Sequence, residues 1–160
     1  MWKRRSKRLA RFLAIAALVC VAGLAVLKVW LDASYFDGYD PNAPLNLELA
    51  LVEERQAYTW TKFYYAGARG DRVPAVMATP KNASGPLPCV VFLHGIGNDK
   101  EFMARHKLDV PFVQAGFAFV CFDQLMRGER KVKGGLAGLE AFRVRASRTV
   151  NDTRRLIDYL

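Results

Sequence analysis

Residues 12–27 (FLAIAALVCVAGLAVL) hold only apolar and small side chains. Lys28 interrupts the run and Val29, Trp30 and Leu31 continue it, giving 20 residues from Phe12 to Leu31. As a helix, that length spans roughly 30 Å of hydrocarbon, so residues 12–31 are expected to cross a lipid bilayer. Lys28 can snorkel its amine to the headgroups, and Trp30 suits the interface. The pattern changes at Asp32. Residues 32–44 (DASYFDGYDPNAP) are turn-rich and expected to be a linker. Residues 45–55 are expected to be a short helical or irregular lead-in, so that linker and lead-in together occupy residues 32–56.

Residues 58–65 (YTWTKFYY) are rich in β-branched and aromatic side chains, and residues 73–78 (VPAVMA) follow a Gly-containing turn. Together they predict a hairpin, with Pro74 near the start of its second strand or on an edge. Residues 89–93 and 117–122 are apolar at every position, as strands buried on both faces of a parallel sheet must be. Between them a helix is expected, capped by Asn98 or Asp99, broken near Pro111 and stopped at Gly116. Near the end, Val150, Thr153, Leu156, Ile157 and Leu160 keep helical spacing, while Arg148, Arg154, Arg155 and Asp158 fall largely off that stripe. Hairpin, strand, helix, strand and helix predict an α/β fold with a mostly parallel sheet over residues 57–160. The helical pattern is still running at Leu160, with no cap and no following strand. The domain is therefore expected to be the front part of a longer one.

Charge sharpens the membrane reading. Six of the 24 basic residues (Lys3, Arg4, Arg5, Lys7, Arg8 and Arg11) precede Phe12, leaving 18 against 15 acidic residues in the remainder. Most of the net charge of +9 is thus a tail, residues 1–11. Such a tail stays in the cytoplasm, so the remainder is expected to be extracytoplasmic, periplasmic in a bacterium. A cleaved signal peptide competes, with Gly23-Leu24-Ala25 as its small-x-small site, and cleavage would make the protein secreted. That site lies inside the apolar run, which favours an uncleaved anchor. Nucleic acid is not an expected partner, because the tail abuts the span and lacks interleaved aromatics. With 12% aromatics the chain is not disordered in composition. Cys20, Cys89 and Cys121 make no disulfide framework, and neither a metal nor an organic cofactor is expected, there being no CxxC or His-rich spacing. Asn82-Ala83-Ser84 and Asn151-Asp152-Thr153 match glycosylation sequons, the second within a helix.

Four segments then stand in a telling order. They are Arg72-Val73-Pro74-Ala75 with Thr79-Pro80, residues 87–95 (LPCVVFLHG), residues 116–123 (GFAFVCFD) with Arg127-Gly128-Glu129-Arg130, and residues 151–160 (NDTRRLIDYL). Their order and spacing resemble the N-terminal half of an α/β-hydrolase, in particular the dienelactone-hydrolase, acetyl-xylan-esterase and prolyl-oligopeptidase-like group. The resemblance implies a serine hydrolase acting on a carboxylic ester or related acyl bond. It also implies that the N–H of Ile96 is one donor of the oxyanion hole, in a loop formed with His94, Gly95 and Gly97, the second donor following the nucleophile. Gly95 and Gly97 would let the backbone approach the substrate. By residue type alone, the same stretch reads equally as a glycine-rich turn at a helix start.

The remaining candidates receive quieter roles. The resemblance gives His94 a loop-shaping part, with the catalytic base and acid both placed after the nucleophile. His106 is expected at the surface, and Asp123 to hold the turn after its strand. Arg127, Arg130, Lys131, Lys133, Arg143, Arg145 and Arg148 are expected as a solvated face, weakly attractive to acidic lipid or glycan. Of Ser6, Ser34, Ser84 and Ser147, none lies in Gly-x-Ser-x-Gly, and Cys89 and Cys121 sit within strands. No catalytic residue is therefore expected in this chain, and the nucleophile, acid and base are expected after Leu160. The function expected is that of a membrane-anchored serine hydrolase, inactive as this chain alone and taking a small-molecule acyl substrate once completed, whether by its own continuation or by another chain. The alternative is a non-catalytic, membrane-anchored binding module built on a partial hydrolase fold.

Overall fold

In the computed structural model the chain forms two units, Met1–Asp37 and Gly38–Leu160. Backbone is described for residues 2–81, 83, 85–132 and 138–160, and side chains for 7, 11–81, 83, 85–132 and 142–160. Asn82 and Ser84 of the first sequon, and Lys133, lie outside the described residues.

The first unit is one helix, α1 (Trp2–Ala33). The apolar run and the basic tail are continuous in it, since Lys and Arg are good helix formers. Its Arg11–Ala33 part, 23 residues with a mean hydropathy of 2.6, is long and apolar enough to cross a membrane. Lys28 Nζ lies 2.6 Å from the Asp32 carboxylate one turn on, so the one cation within the run is paired.

The second unit is a five-stranded sheet of order β1-β2-β3-β5-β4, made of β1 (Glu48–Glu54), β2 (Tyr58–Ala66), β3 (Arg72–Pro80), β4 (Cys89–Phe92) and β5 (Ala118–Phe122). The expected hairpin is β2 and β3, paired antiparallel from Tyr58 opposite Pro80 to Ala66 opposite Arg72. Pro74 stands near the start of β3, and its carbonyl accepts the Asp123 N–H at 2.8 Å. β3 pairs antiparallel with β5, and β5 parallel with β4. The sheet is therefore mixed rather than mostly parallel.

Three local expectations are corrected. The lead-in is not helical or irregular: it forms β1, antiparallel to β2 with an irregularity between Leu49 and Leu51. Leu45, Leu47, Leu49 and Leu51 alternate at period two, and that signal favours a strand. The linker is not free either. Tyr39 Oη donates to the Asp158 carboxylate at 2.9 Å, and Arg155 donates to the carbonyl of Asp40 at 3.1 Å. The expected helix is two short ones, α2 (Phe102–Arg105) and α3 (Asp109–Gln114), and the break falls at left-handed Lys107 rather than at Pro111. Pro111 sits in the first turn of α3, where its missing N–H costs nothing.

Alternation along the strands divides the core. Trp60, Val76, Phe119 and Cys121 face Met103 of α2 and Val113 of α3. Phe63, Tyr65, Val73, Ala75, Val120 and Phe122 form the opposite layer, closed by Leu156 of α4 (Gly138–Tyr159). β5 is buried at all five positions, as expected. β4 differs, being half-buried at each of its four positions. Among the described residues its outer edge has no strand partner, which leaves it open to water.

Of the stripe expected on α4 only Leu156 is buried. Thr149, Asn151, Asp152, Arg155 and Leu156 are buried, while Val150 is 41% and Ile157 57% exposed. The cause is electrostatic. Asp152 accepts from Arg130 at 2.8 Å and from the Ala68 N–H at 3.1 Å, and its own carbonyl accepts from Tyr65 Oη at 3.0 Å. Removing one member of such a buried pair costs about 3–5 kcal/mol, more than exposing one aliphatic side chain.

Candidate active site

The loop after β4 and the turn after β5 leave the sheet side by side at the carboxyl ends of the two parallel strands, where α/β sheets bind ligands. Gly95, Ile96, Gly97 and Asn98 form a tight turn closed by the Asn98 N–H on the Gly95 carbonyl at 3.2 Å. Gly97 occupies its third position at a φ of +98°, which an L side chain resists, as in a type II turn. Ile96 is 78% exposed, and its N–H has no hydrogen-bond partner among the described residues. Ile96 also lines a cleft of about 280 Å³ with Leu125, Arg127, Phe142, Ala146 and Val150. A free backbone donor beside an open, largely apolar cleft is what stabilising a developing oxyanion requires.

Two neighbouring residues at the end of β5 hold this loop. Gln124 Nε2 donates to the His94 carbonyl at 2.7 Å. Asp123 is buried, and its carboxylate accepts three times: from the Lys100 N–H at 2.8 Å, from Lys100 Nζ at 3.0 Å and from the Glu129 N–H at 2.9 Å. A Cβ on Gly128 would fall 2.2 Å from that carboxylate, so only glycine fits the turn. Glu129 continues the network, accepting from Lys100 and Lys62 at 2.7 Å each and from Tyr64 Oη at 3.0 Å. Burial pushes the Glu129 carboxyl up, but the Lys100, Lys62 and Tyr64 hydrogen bonds outweigh it and hold it down at about 2. Burial likewise pulls the Lys100 ammonium down, and Glu129 and Asp123 together keep it above its usual range.

His94 is buried under the turn with Nδ1 3.1 Å from the Gly95 carbonyl. His106 is exposed, its ring centroid 4.2 Å from that of Phe102. Cys121 is buried, and burial, then repulsion from Asp123, pushes its thiol up to about 12. Burial raises the Cys89 thiol too, so neither cysteine is an activated nucleophile. Among the described residues no cluster of His, Cys, Asp or Glu could hold a metal.

The expected solvated basic face is corrected at two of its positions, Arg130 and Arg148. Arg130 is buried between Asp71 and Asp152, and Arg148 also pairs with Asp71. Arg130 further donates to the Asp123 carbonyl at 3.1 Å, which joins the ion pairs on α4 to the site. Gln124 and Lys100 went unnoticed in the sequence, and Glu129 stood there only as part of a motif, without a role of its own. The one signal for Gln124 is its place just past an all-apolar strand, where a polar residue first meets a loop.

The fold is that of the N-terminal part of an α/β-hydrolase of the esterase type. The family model for acetyl xylan esterase (AXE1) matches residues 40–144, and the chain belongs to that family. No curated protein matches the chain. Among solved structures it is similar to acetyl xylan esterase 1 from Thermoanaerobacterium sp. JW/SL YS485, at 22% identity and a TM-score of 0.58 over 78% of this chain and 42% of that one. Acetyl xylan esterase from Paenibacillus sp. R4 is similar at 20% identity and a TM-score of 0.59, over 73% and 41%. A cold-adapted esterase from an Arctic intertidal metagenomic library gives 18% and 0.57, over 73% and 49%. The chain thus spans less than half the length of each of these relatives.

The Glu129 network has a pH signature. A carboxyl held at about 2 against its usual 4.5 stabilises the fold in full above 4.5 and ceases to do so as pH falls through about 2. Glu129→Gln is therefore expected to lower stability at pH 7 and to flatten the acid limb between about pH 4.5 and 2, as read by urea midpoints across that range. An unchanged acid limb would count against the network.

Proposed function

We propose that this chain is the membrane-anchored, oxyanion-donating part of an extracytoplasmic serine esterase whose attacking serine, acid and base come from further polypeptide. The observation that carries the reading is the N–H of Ile96, without a partner among the described residues and presented by a clamped glycine turn beside a largely apolar cleft. Family membership supports ester hydrolysis. The missing partners are supported by the short coverage of the solved relatives, by the lack of any Gly-x-Ser-x-Gly, and by two unfinished surfaces. Those surfaces are the outer edge of β4 and the apolar outer side of α4, where Phe142 and Ile157 are each 57% exposed. A strand laid parallel on β4 would bring a strand-to-helix turn, and a serine on it, close to Ile96.

The chemistry assigned to this chain is limited and specific. As a hydroxyl attacks the acyl carbon, the carbonyl oxygen gains charge, and the Ile96 N–H donates to it from a position fixed before the reaction begins. The turn makes a clean test available, because proline is favoured at the second position of a type II turn. Ile96→Pro removes the donor while keeping the fold. In the completed enzyme it is expected to lower kcat on p-nitrophenyl acetate about 10²–10³-fold with little change in KM. An unaltered kcat would remove Ile96 from the oxyanion hole.

The anchor reading rests on Arg11–Ala33 and the basic residues before it. We place residues 1–11 in the cytoplasm, the span in the bilayer and the esterase unit on the far side. Alkaline carbonate is expected to leave the chain in the membrane pellet, and protease added to intact spheroplasts to digest the esterase unit. Recovery of a soluble, shortened chain would indicate a cleaved leader instead.

A further inference from the structure

We propose that Gln124 is a positioning residue for the Ile96 amide, acting with Asp123 as a two-point clamp on the loop between β4 and α2. The proposal rests on the oxyanion reading above. The two grips fall on opposite ends of one short loop, Gln124 Nε2 on the His94 carbonyl at 2.7 Å and the Asp123 carboxylate on the Lys100 N–H at 2.8 Å. Between these points the turn has one backbone bond of its own, Asn98 to Gly95. That bond and the His94 ring both meet the Gly95 carbonyl, at 3.2 and 3.1 Å, which leaves the exposed backbone of Ile96 and Gly97 to be ordered from the ends of the loop.

The clamp itself is rigidly mounted. β5 is buried throughout, and Arg130 holds the Asp123 carbonyl at 3.1 Å. Gln124 begins a turn closed by the Arg127 N–H on its own carbonyl at 3.0 Å, with Met126 in the left-handed region at a φ of +64°. A methionine there is strained and persists only where its surroundings over-determine it. Gln124 belongs to neither apolar core layer, and it lines the same cleft as Ile96. Its side chain therefore serves the loop, and through the loop the amide.

The test exploits the need for a donor. Glutamate at this position has nearly the same shape, but when ionised it can only accept and would repel the His94 carbonyl. When protonated it donates again. In ¹⁵N-labelled chain 1–160 in micelles, Gln124→Glu at pH 7 is expected to lower the order parameter of the Ile96 amide from about 0.85 to below about 0.6, while the Val120 and Cys121 amides stay rigid. Acidification should restore the Ile96 value in Gln124→Glu and leave Gln124→Ala mobile at every pH. The charged and titratable groups around the new carboxyl are Asp123 and His94 beside it and Arg127 and Arg145 in the lining of the same cleft, so the titration runs from pH 7 to 3. Glu129, held at about 2, stays ionised over most of that range and keeps its own bond to Lys100 Nζ.

An Ile96 amide as rigid in Gln124→Glu as in the native chain overturns the proposal. Loss of order in β5 together with the loop overturns it as well, by making Gln124 a residue of the fold. In the completed enzyme the loosened loop is expected to lower kcat more than KM, with recovery at acid pH. A loosened loop with unchanged kcat would leave the clamp standing and overturn the oxyanion reading.

Discussion

A buried carboxylate without donors is among the costliest groups a small domain can hold, so each hydrogen bond to it is close to obligatory. Asp123 meets that demand with two backbone N–H groups and one ammonium, two of the three from Lys100 in the loop after β4 and one from Glu129 in the turn after β5. Satisfying one charge thereby fixes the relative position of two segments that share no strand pairing. The close approach allowed by Gly128 is a condition of the same arrangement.

From this point the constraint spreads in two directions. Glu129 carries it to Lys62 and Tyr64 on β2, and Arg130 carries it through Asp71 and Asp152 to α4. The apolar layers hold the middle of the sheet by burial, which is non-directional and tolerant of small shifts. The charged network at the carboxyl end of the parallel strands is directional and is not. Directional bonds of this kind fix the loop after β4 more closely than burial alone could.

Different parts of this design were legible in the sequence to different degrees, for physical reasons. The all-apolar residues 118–122 and the aromatic hairpin announced themselves, because burial and β propensity act residue by residue. The glycine turn was equally plain as a turn, since a positive φ at Gly97 is a property of the backbone. The strand β1 carried a period-two leucine signal that its exposed, glutamate-rich surroundings disguised. α4 misled through its own amphipathic stripe: its buried side is polar because Asp152 has partners at positions 65, 68 and 130. Pairings over such separations leave no periodicity to read. For the same reason Arg130 and Arg148 looked like solvent-facing charges, and Gln124 like an unremarkable loop residue.

The role proposed for the Ile96 amide is to stabilise the charge that develops on the acyl oxygen. The most direct measurement is the ¹⁵N–¹H resonance of that amide in the completed esterase, before and after its serine is capped with a tetrahedral phosphonate. Oxygen on phosphorus stands in there for the oxyanion of the intermediate. A downfield proton shift at Ile96, larger than at Gly95 or Asn98, is predicted. An Ile96 resonance that stays in place while the serine is fully modified would contradict the account.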